Sequence, residues 1–189
     1  MLSFLVFLRG LLMGSKDTID FSRLRLERLS KDFDLSNFDC GDKDLDEFLK
    51  EDALAYQDNY IAITTLILYD GEIASFFSLI CDSIRLSGKE KRKGELTMPF
   101  SIFPAIKVAR LATCRELQGN GFGTEAMKYC IGLARKLNSR ADEGIACRFL
   151  TVDAYPHKID WYERLGFVQN IKEDRRDAVS MRYDILPRE

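Results

Sequence analysis

Two short stretches of the chain carry residue types whose spacing could do chemistry. The first is Gln118-Gly119-Asn120-Gly121-Phe122-Gly123-Thr124, with glycines at alternate positions where a helix must begin. Glycine admits φ > 0 and lets another group approach with no Cβ in the way. The first N–H groups of a helix lack intrahelical partners, and the positive end of its dipole lies behind them, so this stretch could seat an anion, most often a phosphate. The dipole supplies only about 0.3–1 kcal/mol at an exposed site, so direct N–H bonds must carry most of the affinity. The second stretch is Trp161-Tyr162-Glu163-Arg164-Leu165-Gly166-Phe167. Its Tyr162 carries a phenol with an unperturbed pKa of about 10, which is protonated at neutral pH.

Spacing removes two phosphate loops from consideration. A dinucleotide fingerprint starting at Gly119 needs glycine where Thr124 stands, and no Gly-Lys-Ser/Thr triplet follows to make a Walker loop. What remains is Q-x-x-G-x-G, read as Gln118, Gly121 and Gly123. By itself the hexapeptide is equally a helix that begins with glycines, and the second stretch is equally a helix with packed aromatics and a glycine cap.

Composition narrows the classes. The 189 residues suit one domain with a real core, and 46% hydrophobic with 31% charged residues is ordinary for a globular protein. A net charge of −2 gives no global pull toward nucleic acid or anionic lipid. The single histidine, His157, argues against multi-histidine metal sites and most catalytic triads. Cys40, Cys81, Cys114, Cys130 and Cys147 are odd in number and lack a C-x-x-C, so neither a disulfide framework nor a zinc ligand set is visible and a reducing cytoplasm fits best. Residues 1–13 are apolar but short for a membrane span, and they lack a charged n-region and a cleavage site. Residues 1–20 are therefore expected to lie outside the fold, and 21–189 to form one domain.

The elements that must position the two stretches follow from pattern. Leu24, Leu26 and Leu29, interleaved with Arg23, Arg25 and Arg28, predict a first strand. A helix is expected from about Asp44 to Asn59, with Asp44 and Glu47 at capping-box spacing and Leu45, Phe48, Leu49, Ala53 and Tyr56 as its apolar stripe. Ile61 to Tyr69 and Glu72 to Leu86 read as a hairpin turning at Asp70-Gly71. Ser87 to Pro104 reads as a long connection, of the kind that often serves function. Ala105 to Thr113 is the strand feeding the glycine stretch, and the helix after it buries Phe122, Ala126, Met127, Cys130, Ala134 and Leu137. Phe149 to Ala154, Phe167 to Gln169 and Val179 to Ile185 complete the strands, with a helical turn from Asp160 to Leu165 ending at Gly166. The order β–α–β–β–(loop)–β–α–β–α–β–β is that of an α/β domain with a parallel pair around the glycine stretch.

In this order, Gln118-x-x-Gly121-x-Gly123 resembles the acetyl-coenzyme A loop of the GNAT superfamily of N-acetyltransferases. The Tyr162…Gly166-Phe167 stretch resembles that superfamily's [FYW]-Y-x-x-x-G-F helix. Phe38-Asp39-Cys40-Gly41…Leu45-Asp46-Glu47-Phe48-Leu49, with Arg110-Leu111-Ala112, resembles a branch that includes toxins acetylating aminoacyl-tRNA. The resemblance covers roughly residues 22–186. It implies the GNAT fold: a mixed, mostly antiparallel sheet with a central parallel pair and helices on both faces. It implies that backbone groups of Leu111, Ala112 and Thr113 pair with the pantetheine arm as an added strand would. It implies that Gln118, Gly119, Asn120, Gly121, Phe122, Gly123 and Thr124 cradle the pyrophosphate. A splay between the strands ending near Thr113 and Asp153 would admit the arm, and Tyr162 would protonate the departing thiolate.

The implied activity is transfer of an acetyl group from acetyl-CoA to a primary amine by direct attack in a ternary complex, with no metal. The acceptor is left open among small molecules, proteins and aminoacyl-tRNA; a homodimer is compatible, and no membrane is called for. Many relatives carry a glutamate base on the fourth strand, but Ala105 to Thr113 holds no acid. Asp153 and Asp82 are the nearest carboxylates, an ordered water is the alternative, and no base is assigned. The acidic balance argues against tRNA as acceptor. A non-catalytic module that binds coenzyme A or a protein is the competing class, and the presence of Tyr162 weighs against it.

Overall fold

The computed structural model describes residues 19–139, 145–171 and 178–186. The predicted apolar extension lies outside the described residues as far as residue 18. Asp20 accepts hydrogen bonds from the Ser22 N–H and hydroxyl at 3.0 and 2.7 Å, capping a single turn at Phe21–Arg23.

Strand β1 (Leu24–Arg28) leads through a loop to helix α1. This helix runs through Lys43–Glu47, a π-turn at Phe48–Asp52, and Ala53–Asp58. Its cap is Asp42, which accepts from the Asp44 and Leu45 N–H groups at 3.1 and 3.3 Å, and not the expected Asp44–Glu47 box. Strands β2 (Ile63–Tyr69) and β3 (Glu72–Arg85) form the predicted hairpin. Asp70 (φ 55°) and Gly71 (φ 88°) are both left-handed, as a two-residue turn between twisted strands requires.

The long connection corrects the expectation. Helix α2 (Gly88–Lys93) lies inside it, and strand β4 (Ile102–Thr113) begins three residues before Ala105. The capping box sits here: the Ser87 hydroxyl bonds Glu90 Oε2 at 2.7 Å, and the Ser87 N–H donates to the same oxygen at 2.8 Å. Helix α3 (Phe122–Ser139), strand β5 (Phe149–Ala154), helix α4 (Ile159–Arg164) and strands β6 (Val168–Gln169) and β7 (Val179–Asp184) follow.

The seven strands form one sheet in the order β1-β2-β3-β4-β5-β7-β6. Among the described residues only β4 and β5 pair in parallel. Alternation along each strand sends neighbouring residues to opposite faces. Phe77, Val108, Leu150 and Val152 meet Met127 and Cys130 of α3 and Phe167 after α4. On the other face Leu66, Phe76 and Ala112 meet Phe48 and Leu49 of α1, and Ile84, Phe103 and Phe149 pack with Leu96 beyond α2. The π-turn turns Phe48 and Leu49 inward together, with Phe48 stacked on Phe76 at 6.3 Å. Each such side chain contributes roughly 1.5–3 kcal/mol by leaving water.

Candidate active site

The site is built where the sheet comes apart. β4 stays paired with β3 as far as Thr113, but its parallel ladder to β5 covers only Ala105–Lys107 against Phe149–Thr151. From Val108 onward the two strands diverge, which is the expected splay. A bulge accompanies it: Leu79 faces Val108 and Ser78 faces Arg110, leaving Ala109 unopposed. The Arg110 guanidinium folds back to donate to the Ala109 carbonyl at 2.8 Å and lies over the Phe48 ring at 5.2 Å, so the bulge is held from both ends.

The ladder also sorts the three predicted pantetheine partners. The Cys114 N–H donates to the Ala74 carbonyl at 2.9 Å, so by antiparallel alternation Ala112, two residues back, turns its N–H and carbonyl toward β3. Leu111 and Thr113 turn theirs to the open side. The Ser75 hydroxyl takes the Ala112 carbonyl at 2.5 Å. An added strand would therefore pair with Leu111 and Thr113, and Ala112 serves by holding β4 to β3.

At the start of α3 the first helical bond runs from the Glu125 N–H to the Gly121 carbonyl at 3.0 Å. The N–H groups of Phe122, Gly123 and Thr124 consequently point ahead of the helix. Gly119 and Gly121 have φ of 78° and 92°, a conformation that favours glycine. A Cβ on Gly121 would lie 3.2 Å from Phe21 Cζ, whereas one on Gly119 would meet nothing within 4 Å. The Phe122 ring is buried edge-on to Phe21 and Tyr69 at 5.4 Å each, so only its N–H is left toward the open end of the helix.

Gln118 is placed differently from its neighbours. Its amide donates to the Cys40 carbonyl at 2.6 Å and the Thr113 carbonyl at 3.0 Å, which uses both N–H groups inside the protein. The Asn120 amide turns back to the Gln118 carbonyl at 3.2 Å. Arg115 donates from its backbone to the Asp39 carbonyl at 2.8 Å and from its guanidinium to the Asp39 carboxylate at 3.0 Å. The Phe38-Asp39-Cys40-Gly41 loop and the glycine stretch are thus laced together. The sequence held both motifs, but nothing in it said that they touch.

Tyr162 projects from α4 between the rings of Trp161 (4.7 Å) and Phe167 (5.4 Å) and packs against the cluster around Cys130. Burial, with a smaller contribution from the Cys130 thiol, pushes its phenol up to about 12. Trp161 reaches the glycine stretch: a Cβ on Gly123 would sit 3.6 Å from its Cζ2 and 3.8 Å from Thr113 Oγ1. The end of β4, the start of α3 and the tyrosine helix, far apart in the chain, therefore converge at one place.

The two carboxylates considered as bases are ion-paired. Lys107 Nζ lies 3.1 Å from Asp153 and 3.6 Å from Asp82, and the Thr151 hydroxyl donates to Asp82 at 2.6 Å. The cluster sits beside the last pair of the parallel ladder and binds the strands on either side of the seam. Among the described residues no group of His, Cys, Asp and Glu is arranged to hold a metal, and no helix is long and apolar enough to cross a membrane.

The unzipped strand pair, the glycine-started helix and the tyrosine helix against it together frame the candidate site. The model of the Acetyltransferase (GNAT) family matches residues 26–167, and the chain belongs to that family. It is 30% identical over 108 residues to a tRNA-acetylating toxin of Mycobacterium tuberculosis, a match that covers 56% of this chain and 62% of that protein. The chain thus spans about three fifths of this curated relative's length. Among solved structures, AtaT complexed with acetyl-methionyl-tRNAfMet superposes with a TM-score of 0.71 at 23% identity, over 83% of this chain and 93% of that one. AtaTR bound with acetyl-CoA superposes with a TM-score of 0.68 at 22% identity, over 85% and 94%. These two likenesses establish the shared fold.

Proposed function

We propose that this protein transfers the acetyl group of acetyl-CoA to the α-amine of an aminoacyl-tRNA. The donor half rests on the seam. The N–H groups of Leu111 and Thr113 face the side on which β4 has parted from β5, and the α3 N-terminus with Gly119 and Gly121 follows the end of β4. An extended arm carrying amides and ending in a pyrophosphate fits both, one by strand addition and the other by the open N–H groups. The acceptor half is supported by the 30% identity to a toxin that acetylates tRNA. It goes against the chain's acidic balance, but net charge governs the far field and does not forbid a local site.

Acetyl-CoA supplies an activated thioester carbonyl. The Leu111 N–H, just past the bulge, faces the side from which that carbonyl would accept a hydrogen bond. Tyr162 donates to the sulfur as the C–S bond breaks. A phenol at about 12 is a weaker acid than a thiol of about 8.5, so complete transfer from Tyr162 is uphill. Its role is to hydrogen-bond the developing thiolate while the proton released by the attacking amine ends on the sulfur. The new C–N bond replaces the C–S bond, and one proton moves from nitrogen to sulfur. No second carboxylate is required for that balance; Asp82 and Asp153 serve Lys107.

Incubating the purified protein with acetyl-CoA and total charged tRNA, followed by mass spectrometry of the released aminoacyl group, tests this reading. N-acetylated aminoacyl groups are expected, formed about 10²-fold more slowly by Tyr162→Phe. Thiol release with small amines or peptides and none with charged tRNA would replace the acceptor.

A further inference from the structure

Tyr155 is the first residue beyond β5, and the seam between β4 and β5 opens toward the C-terminal ends of both strands. It therefore stands at the mouth of the cleft, seven residues before Tyr162. Its ring lies parallel to that of His157, with an interplanar angle of 9° and centroids 5.8 Å apart. Both rings are exposed, Tyr155 to 49%. Between them Pro156 opens a 3₁₀ turn that closes with Lys158 N–H donating to the Tyr155 carbonyl at 2.8 Å. Among the described residues neither ring makes a hydrogen bond or meets a third ring. Two parallel rings, fixed by a proline-initiated turn and left open to water, gain nothing for the fold that one buried ring would not. They leave an apolar face at the mouth, and Lys158 adds a cation to the same short turn.

We infer that Tyr155 and His157 form a stacking platform for an unpaired nucleobase near the amine-bearing end of the acceptor. This rests on the aminoacyl-tRNA reading above and names how that substrate is held. The amino acid of a charged tRNA sits on a single-stranded 3′ end, whose bases have faces free to extend a stack. Stacking on aromatic rings tolerates any base, so such a platform can grip the common end without reading its sequence. Lys158 adds attraction for the adjoining phosphate. A small amine or a peptide acceptor has no base to extend the stack, so the platform discriminates by class of acceptor.

The experiment uses the full chain with charged tRNA and, separately, with the methyl ester of the same amino acid, which carries the amine and no base. Tyr155→Ala should raise the KM for charged tRNA about tenfold or more, a typical loss for one stacked base. It should leave the KM for acetyl-CoA and for the ester within about twofold, and Tyr155→Trp should restore the tRNA value. His157→Ala should act the same way. Equal KM rises for tRNA, ester and acetyl-CoA would make the pair structural, and no rise at all would remove it from acceptor binding. A wild-type protein inert toward every charged tRNA would overturn the acceptor reading instead. The platform is then judged by fluorescence anisotropy of a labelled single-stranded CCA-ended oligonucleotide. Weaker binding by Tyr155→Ala than by wild type retains the platform, and equal binding rejects it.

Discussion

Burial keeps the Tyr162 phenol protonated well past neutrality and at the same time makes it a reluctant acid. Tyr162→Phe keeps the ring between Trp161 and Phe167, so thermal stability should hold. The kcat should fall about 10²-fold, at the low end for acid assistance, with the KM for acetyl-CoA nearly constant. The raised phenol also fixes the pH profile. The rate should climb as the acceptor amine loses its proton and then stay level to about pH 10, with no alkaline limb from Tyr162. A kcat within twofold of wild type would make the tyrosine a packing residue. The glycines separate by what a Cβ would meet. Gly123→Ala adds only ordinary contacts with Trp161 and Thr113, so a fall in acetyl-CoA affinity with unchanged stability would report the ligand's close approach. Gly121→Val adds left-handed strain of about 1–3 kcal/mol and a collision with Phe21, so stability and affinity should fall together. Calorimetric titration beside thermal unfolding distinguishes the two.

Between elements, the informative contacts are those that lace the Asp39-Cys40 loop to the glycine stretch. Gln118→Glu replaces two donors by acceptors facing the Cys40 and Thr113 carbonyls. Acetyl-CoA affinity should drop about tenfold, the size of one lost hydrogen bond, through displaced N–H groups. Gln118→Leu, which removes both donors without setting acceptors against the carbonyls, should cost less than Gln118→Glu, and a loss as large would return the side chain to the ligand. Much of this architecture was legible beforehand. The succession of elements along the chain and the Asp70-Gly71 turn follow from periodicity and punctuation, which are local, and the parallel pair from the strand–helix–strand succession; the spatial order of the strands does not. The Ser87–Glu90 box was equally visible as S-x-x-E but stood in a polar segment with no apolar stripe, so helix α2 was missed. The Ala109 bulge, the inward turn of Gln118 and the Lys107 cluster left no local trace, because each exists only once distant strands meet.

For the molecule as a whole, one buried ion pair ties α2 to the far edge of the sheet. Glu90 Oε1 accepts from Arg182 Nη1 and from the Ile171 N–H, both at 3.0 Å. Burial by itself would raise the Glu90 carboxyl, but the bonds from Ile171 and Ser87 and the charge of Arg182 outweigh it and hold it below its ordinary value. Its stabilisation is therefore complete above that ordinary value and is lost as pH falls through the lower, folded one. Glu90→Gln should cost about 3–5 kcal/mol at pH 7 by stranding Arg182. The gap to wild type should narrow in the acid range as the native carboxyl is protonated. Thermal unfolding from pH 7 to pH 3 checks both, and parallel curves would assign the acid sensitivity elsewhere. The short parallel ladder has a further consequence. Strands β1 to β4 make one leaf and β5, β7 and β6 the other, bound along a spine of three residue pairs with Lys107 stitched across it. One leaf leads into the glycine stretch and the other into Tyr162, so on the proposed mechanism the angle at which the leaves stand open would set where the hydroxyl falls relative to the sulfur. Alignment for reaction would then be delegated to Lys107 and Thr151, residues at the foot of the cleft that mark where the binding of the two leaves ends.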